Sequence, residues 1–415
     1  MQYIVTAKGP LKGCVRANGS KNAALPIIAA TLLASSPCVL SNVPHLTDVN
    51  AMLEIIISLG GSVSALHSRE IKIDTQNINT FCAPYESVSR LRASFLVSGP
   101  LLARFGKAKI PLPGGCPIGS RPIDLHLKGL AALGATIQKG HGYIEAHADR
   151  LYGAKIYLDF PSVGATENIL MAACLAKGQT VIENAAAEPE IVDLADFLNS
   201  MGAHIAGAGS DTLTIDGVDE LSGTRYRVIP DRIEAGTFMT AAAVTRGCIT
   251  VTNVVPAHLK PLSAKLREMG VSITEYENEI CVDASAELCP ADIKTLPFPG
   301  FPTDMQAQLC SLLSVVPGTA IITETIFENR FMHAAELQRM GADIKTDGRT
   351  AVICGKPHLT GARVSASDLR AGAALILAGL AAGGQTVIDG TEHIRRGYAD
   401  LPRKLRQLGA DIYEF

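Results

Sequence analysis

Six stretches of the chain are apolar around most of a helical circumference. They begin near Asn22, Ala93, Glu167, Ala235, Met305 and Ala371. The last reads Ala371-Gly372-Ala373-Ala374-Leu375-Ile376-Leu377-Ala378. A helix that is apolar on all sides belongs inside a core. A short alternating run follows each, such as Thr180-Val181-Ile182-Glu183-Asn184 or Ile249-Thr250-Val251-Thr252-Asn253, and predicts a strand. Next comes an amphipathic helix, as in Val192-Asp193-Leu194-Ala195-Asp196-Phe197-Leu198. This helix closes on a glycine each time: Gly60, Gly134, Gly202, Gly270, Gly341 and Gly409. Glycine suits the residue just past a helix because it takes the left-handed conformation without a Cβ clash. Each glycine opens another alternating segment, such as Ala410-Asp411-Ile412-Tyr413.

The unit is therefore buried helix, strand, amphipathic helix and two strands, repeated six times. Its period of about 70 residues is longer than that of solenoid repeats, so closed domains are predicted. One unit has too little interior to hide its own apolar helix, and three are expected to share each core. The pattern predicts an α/β protein of two three-unit domains, with the chain crossing over near Arg227-Val228-Ile229-Pro230-Asp231.

The residues expected just before the six buried helices are Lys21, Arg92, Thr166, Glu234, Asp304 and Arg370. Five of these carry charge. Helix amino ends favour anions, and Asp or Thr caps them well, but Lys and Arg oppose the helix dipole there. Cations in those places point to an anionic ligand.

Composition narrows the chemistry. The chain has 415 residues, 47% hydrophobic and 19% charged, with a net charge of -3. That is globular, and gives no whole-chain reason to expect nucleic acid or an anionic membrane as partner. An anion site must be a local cluster of Arg and Lys. No segment reaches the roughly 18 uncharged apolar residues of a membrane span. The opening Met1–Pro10 alternates like a strand and lacks the apolar core of an export signal. Its ten cysteines are expected as thiols in the cytoplasm. With no Cys-x-x-Cys pair, a structural zinc has little support, and no metal or cofactor is expected.

The segment Leu112-Pro113-Gly114-Gly115-Cys116-Pro117-Ile118-Gly119-Ser120-Arg121-Pro122 sets one cysteine among three glycines and three prolines. Such a loop is expected to be exposed and mobile. Lys107, Lys109 and Arg121 would favour its thiolate. Charged groups at Glu188–Glu190, Asp231–Arg232, Glu328–Arg330, Asp368–Arg370 and Arg395–Arg396 read singly as surface ion pairs. His126 and His393 have no metal-like spacing.

Several motifs carry a resemblance that runs essentially end to end. They are Ser20–Pro26, Pro113–His126, Ser162–Thr166, Glu188–Asp193, Phe301–Gln306, Phe327–His333 and Thr391–Tyr398. In this order they resemble the UDP-N-acetylglucosamine 1-carboxyvinyltransferase family, within the EPSP synthase superfamily. The resemblance implies two inside-out α/β barrel domains, each of three repeated units around buried helices, with the active site in the interdomain cleft. It implies one domain of residues 1–19 and 230–415, and another of 20–229 that carries the Cys116 loop. The substrates would be phosphoenolpyruvate and UDP-N-acetylglucosamine. Cys116, Asp304, Lys21 and Arg396 would be catalytic. Lys21, Asn22, Arg121, Arg330, Arg370 and Arg396 would hold phosphoenolpyruvate. Asn22, Arg92, Arg121, Pro122, Ile123, Asp124, Leu125, Ser162, Val163, Gly164, Asp304 and Ile326 would contact the nucleotide. Some family members have Lys where this chain has Thr47 and Phe160, so its nucleotide contacts differ there.

Three other readings compete. Transfer to 3-phosphoshikimate uses the same fold but predicts no cysteine loop of this kind. A polymer clamp fits the repeats but lacks a broad basic stripe. A dinucleotide dehydrogenase lacks a Gly-x-Gly-x-x-Gly after its first strand.

Overall fold

The computed structural model describes residues 2–66, 70–112, 114, 118–119, 122–140 and 142–415. These form two compact units. One holds residues 2–18, 118–119 and 230–415; the other holds the remaining described residues of 19–229.

Each unit holds three apolar helices. In the 230–415 unit they are Arg232–Val244, Gln306–Leu313 and Leu369–Ala381, packed pairwise on one another. All eight residues of the second are buried, which is why its sequence shows no polar stripe. In the 19–229 unit the equivalents are Lys21–Ala30, Ser98–Phe105 and Val163–Ala173. The Ser98–Phe105 helix is preceded by a 3-10 stretch, Arg92–Val97. Pro100, in the first turn of that helix, has no N–H to give Leu96 O, so the α-helical hydrogen-bond ladder does not extend back into the 3-10 stretch at that point.

Four of the six charged or polar residues do not stand outside their α-helices as expected. Lys21 and Arg370 are the first and second residues of theirs, Glu234 the third and Thr166 the fourth. Arg92 and Asp304 lie in 3-10 turns that lead into the helix. Four helices are capped by earlier side chains: Ser20, Ser162, Asp231 and Asp368 accept from free first-turn N–H groups. A small polar residue makes that bond and sets the true start.

The sheets repeat as the helices do. Each full sheet takes the strand after a core helix, the hairpin that follows the amphipathic helix, and one parallel strand from elsewhere. In order they are Lys155–Tyr157, Gln179–Glu183, Thr212–Asp216 and His204–Ala206 in one case. Residues Ile293–Lys294, Gly318–Thr323, Thr350–Gly355 and Asp343–Asp347 give another. In the second repeat the parallel strand shrinks to a single bridge between Cys82 and Lys109. All six glycines that end the amphipathic helices have positive φ, from 90° at Gly341 to 107° at Gly202.

Two parallel or central positions are filled from the amino-terminal segment. Lys12–Arg16 runs parallel to Cys248–Thr252, with Cys14 beside Thr250. Tyr3–Thr6 lies between Gln385–Asp389 and Asp411–Glu414, antiparallel to both, with Tyr3 beside Ile388 and Glu414. The sixth sheet is thus completed by the first strand.

The segments entering and leaving the 19–229 unit are tied within their own units. Asp231 N donates to Asn18 O at 2.8 Å, and Ser20 N donates to Ile229 O at 2.7 Å. Asp193 accepts from the Tyr226 hydroxyl at 2.7 Å and from Ile229 N at 3.2 Å. Burial pushes the Asp193 carboxyl up to about 7, against the pull of these two donors. Glu234 lies 2.7 Å from Lys404 Nζ and accepts from Asn18 N at 2.6 Å. Glu234 therefore has a buried structural partner and is not a free charge at a helix start. The nine described cysteines are free thiols. Among the described residues no helix is long and apolar enough to cross a membrane.

Candidate active site

The candidate residues fall into two sets, one in each unit. In the 19–229 unit, Ser20 caps the first core helix and so fixes Lys21 at its opening residue. Lys21 Nζ is 3.2 Å from Asp48 Oδ2, with both side chains nearly buried. Asp48 is held in place by the first turn of Thr47–Ser58. Asn22 is half-buried beside Lys21.

A second group in this unit centres on His126. Its Nδ1 is 3.2 Å from Asn168 Nδ2, and the same amide donates to Ser98 Oγ at 2.9 Å. Gly99 N donates to Asn168 Oδ1 at 2.8 Å. Phe95 meets the imidazole edge-on at 5.3 Å. Burial, then the nearby charge of Arg92, pushes His126 down to about 3. The imidazole is therefore neutral near pH 7. A Cβ on Gly164 would lie 3.2 Å from it, so the Ser162–Gly164 turn sits directly against the ring. The fold thus gathers Arg92, Ser162, Val163 and Gly164 around the helix Asp124–Ala132, where Leu125 is half-buried. Pro122 and Asp124 are exposed, and Ile123 is half-buried. Asp124 makes only a surface pair with Lys139 at 3.3 Å. Phe160 is 43% exposed, an apolar ring beside this turn. Cys116 and Arg121 lie outside the described residues.

In the 230–415 unit the charges are buried together. Asp304 Oδ1 accepts from Arg330 Nη2 at 2.7 Å, and its Oδ2 accepts from Arg370 Nη2 at 2.8 Å. The arginine side chains are 3% and 4% exposed, while the Asp304 side chain is 26% exposed. Neither arginine belongs to a surface pair, contrary to the local reading of Glu328–Arg330 and Asp368–Arg370. Asp368 accepts from Arg370 N at 2.9 Å and so orients the first turn that carries Arg370. The charge of Asp304 raises Arg370 despite the opposing effect of burial. Arg330 Nε and Arg370 Nε and Nη1 are buried without a partner among the described residues. Buried donors left in that state are costly unless a ligand supplies acceptors. The guanidinium shape favours a planar carboxylate or a phosphate.

Glu324 braces the same region. It accepts from Thr303 Oγ1 at 2.9 Å, Ile326 N at 2.8 Å and Phe327 N at 3.2 Å. It thereby ties the Asp304 turn to the one carrying Ile326. His333 is buried nearby and pushed down to about 4, first by burial, with Arg330 adding to the effect and Asp368 opposing it. Arg396 follows the short helix Thr391–Arg395 and is half-buried. A Cβ on the next residue, Gly397, would meet Leu369 Cδ2 at 2.6 Å. Glycine lets this segment press against the start of the Arg370 helix.

Asp48, Asn168 and Glu324 were not singled out by sequence. The partners of Asp48 and Asn168 are distant in the chain, and no local pattern marks them. Glu324 left the only useful trace, a lone acid directly after the apolar strand Gly318–Thr323.

The match to known proteins covers nearly the whole chain. Residues 5–405 fit the family described as EPSP synthase (3-phosphoshikimate 1-carboxyvinyltransferase). A relative from Caldanaerobacter subterraneus subsp. tengcongensis, named UDP-N-acetylglucosamine 1-carboxyvinyltransferase 1, is 58% identical over 413 residues, covering 99% of both chains. The chain belongs to the UDP-N-acetylglucosamine 1-carboxyvinyltransferase branch of the EPSP synthase family. UDP-N-acetylglucosamine 1-carboxyvinyltransferase 2 of Carboxydothermus hydrogenoformans is also 58% identical, over 99% of this chain and 98% of the relative. Among solved structures, the enolpyruvyl transferase NikO from Streptomyces tendae superposes with a TM-score of 0.90 at 27% identity, covering 99% of this chain and 98% of that one. The α/β fold of this family is therefore the fold of the chain.

Proposed function

We propose that the chain transfers the enolpyruvyl group of phosphoenolpyruvate to the 3'-hydroxyl of UDP-N-acetylglucosamine and releases phosphate. This is the first committed step of peptidoglycan synthesis, in the cytoplasm and without a cofactor. The observation that carries the reading is the buried Arg330–Asp304–Arg370 group, with three donors left for an anion. The names of the 58% identical relatives support the choice of acceptor. In the same reading each unit is an inside-out α/β barrel built on its three core helices.

Phosphoenolpyruvate presents a carboxylate and a phosphate on neighbouring atoms. Arg330 and Arg370 receive the carboxylate as a planar pair of acceptors. Asp304 now occupies part of that place; the incoming carboxylate releases it to take the proton of the 3'-hydroxyl. The hydroxyl oxygen bonds to C2 while C3 gains a proton from Cys116, a residue outside the described ones. Lys21, Arg121 and Arg396 hold the phosphate. Loss of a proton from C3 then restores the double bond as the C2–O bond to phosphate breaks. Fixed cations stabilise the charge that develops on the departing group. Asn22, Arg92, Arg121, Pro122, Ile123, Asp124, Leu125, Ser162, Val163, Gly164 and Ile326 accommodate the nucleotide, together with Asp304. With Phe160 and Thr47 in place of two cations, the diphosphate is held with less charge.

Phosphate release decides the matter. Phosphoenolpyruvate and UDP-N-acetylglucosamine together should liberate phosphate, and omission of either should abolish it. Turnover with 3-phosphoshikimate and none with the sugar nucleotide would overturn the assignment.

A further inference from the structure

Tyr398 is the largest fully buried side chain of the 230–415 unit, and it ends in a hydroxyl. That hydroxyl lies 2.9 Å from Thr237 Oγ1 and accepts from Gln308 Nε2 at 3.2 Å. Gln308 Nε2 also reaches Thr237 Oγ1 at 3.2 Å. Thr237 and Gln308 are themselves 2% and 0% exposed. The trio joins two core helices, Arg232–Val244 and Gln306–Leu313, to the segment after Thr391–Arg395. The Arg370 guanidinium, on the third core helix, stands 5.4 Å from the Tyr398 ring centroid.

The hydrogen bonds fix where the phenol proton goes. Thr237 donates its own hydroxyl to Ile233 O at 2.8 Å, so it can only accept from Tyr398. If the Gln308 amide is turned the other way, the phenol proton has Gln308 Oε1 as a second acceptor. In either arrangement that proton stays within the trio. The ring face and the oxygen lone pair are then turned to the cation as fixed negative partners. Burial raises the Tyr398 phenol and Arg370 opposes that shift, which agrees with direct coupling between the two groups.

From this geometry we infer that Tyr398, tethered by Thr237 and Gln308, is a positioning residue that sets the Arg370 guanidinium for the substrate carboxylate. Arg370 Nε and Nη1 have no protein partner among the described residues. Its orientation therefore depends on Asp304 and on the ring beneath it. Once Asp304 is released, the ring is the support that remains. The inference rests on the proposed role of Arg370 toward phosphoenolpyruvate.

The test is a kinetic cycle. Tyr398→Phe keeps the ring and removes its tether; it should raise KM for phosphoenolpyruvate about tenfold, since a hydrogen bond serving a charged group has that weight. KM for the nucleotide should stay within about twofold. Arg370→Ala should raise KM for phosphoenolpyruvate further, and adding Tyr398→Phe to it should change nothing more. A purely structural role would lower the melting temperature and leave KM alone. If Tyr398→Phe does not fold, Gln308→Met removes the same tether from the other side and should give the same split. An unchanged KM for phosphoenolpyruvate, or fold-changes that multiply in the double variant, would overturn the inference while leaving Arg370 in its role. An unchanged KM in Arg370→Ala alone would remove both, and so separates the two failures.

Discussion

Asp304 shows how much a single carboxylate is asked to do. Both of its oxygens are engaged by arginines, so it is held in place by the groups proposed to receive the substrate carboxylate. Asp304→Asn should still bind nucleotide, measured by calorimetry, while turnover falls about 10²- to 10⁴-fold. Near-normal turnover would remove it as the base. For Cys116 the sequence makes the claim alone. Cys116→Ser should lose most activity, and the epoxide fosfomycin should alkylate this thiol, as read by peptide mass spectrometry. Labelling of the exposed Cys14 or Cys82 instead would count against it. Lys21 and Arg370 were legible because cations sit badly in a first helical turn. Asp48 was not, since an acid has no mark of its own until the fold brings its partner near. Glu234 misled the reading for the same reason: its partner Lys404 is 170 positions away.

The elements were largely written in the apolar pattern. A helix apolar on every side and a glycine after each amphipathic helix are local signals, and all six glycines take the positive φ they suggested. The helix starts were less legible, because the cap is one small polar residue and the flanking charge drew the eye. The position of Tyr3–Thr6 was not legible from its own alternation, which says that it pairs but not with what. The Glu234–Lys404 pair makes a prediction at this scale. Lys404→Met leaves a buried carboxylate with only Asn18 as partner and should cost about 3–5 kcal/mol in chemical denaturation. Adding Glu234→Leu should recover part of that loss, because replacing both charges removes the desolvation cost together with the attraction. A double variant less stable than Lys404→Met would contradict this.

Across the whole molecule, stability is linked to protons through groups that the fold has buried. Asp193 is the clearest case, because its carboxyl is up at about 7 when folded and near 4 when unfolded. Between those values folding takes up a proton at this site. Its contribution is full below about pH 4 and is lost as the pH rises through about 7. Asp193→Asn should therefore flatten the fall in melting temperature between about pH 4 and 7 relative to the parent chain. An identical slope in the two proteins would refute the assignment. The Tyr226 hydroxyl and Ile229 N both donate to Asp193 and favour its ionised form, so they offset part of this loss.

The pairing of Tyr3–Thr6 with Gln385–Asp389 and Asp411–Glu414 also bears on how the protein is born. A ribosome delivers that strand before residues 19–229 and its two neighbours after them. Residues 19–229 emerge as a complete unit meanwhile and can fold early, as domains do during synthesis. The Tyr3–Thr6 strand has to wait, exposed and unmatched, until Gln385–Glu414 has been made.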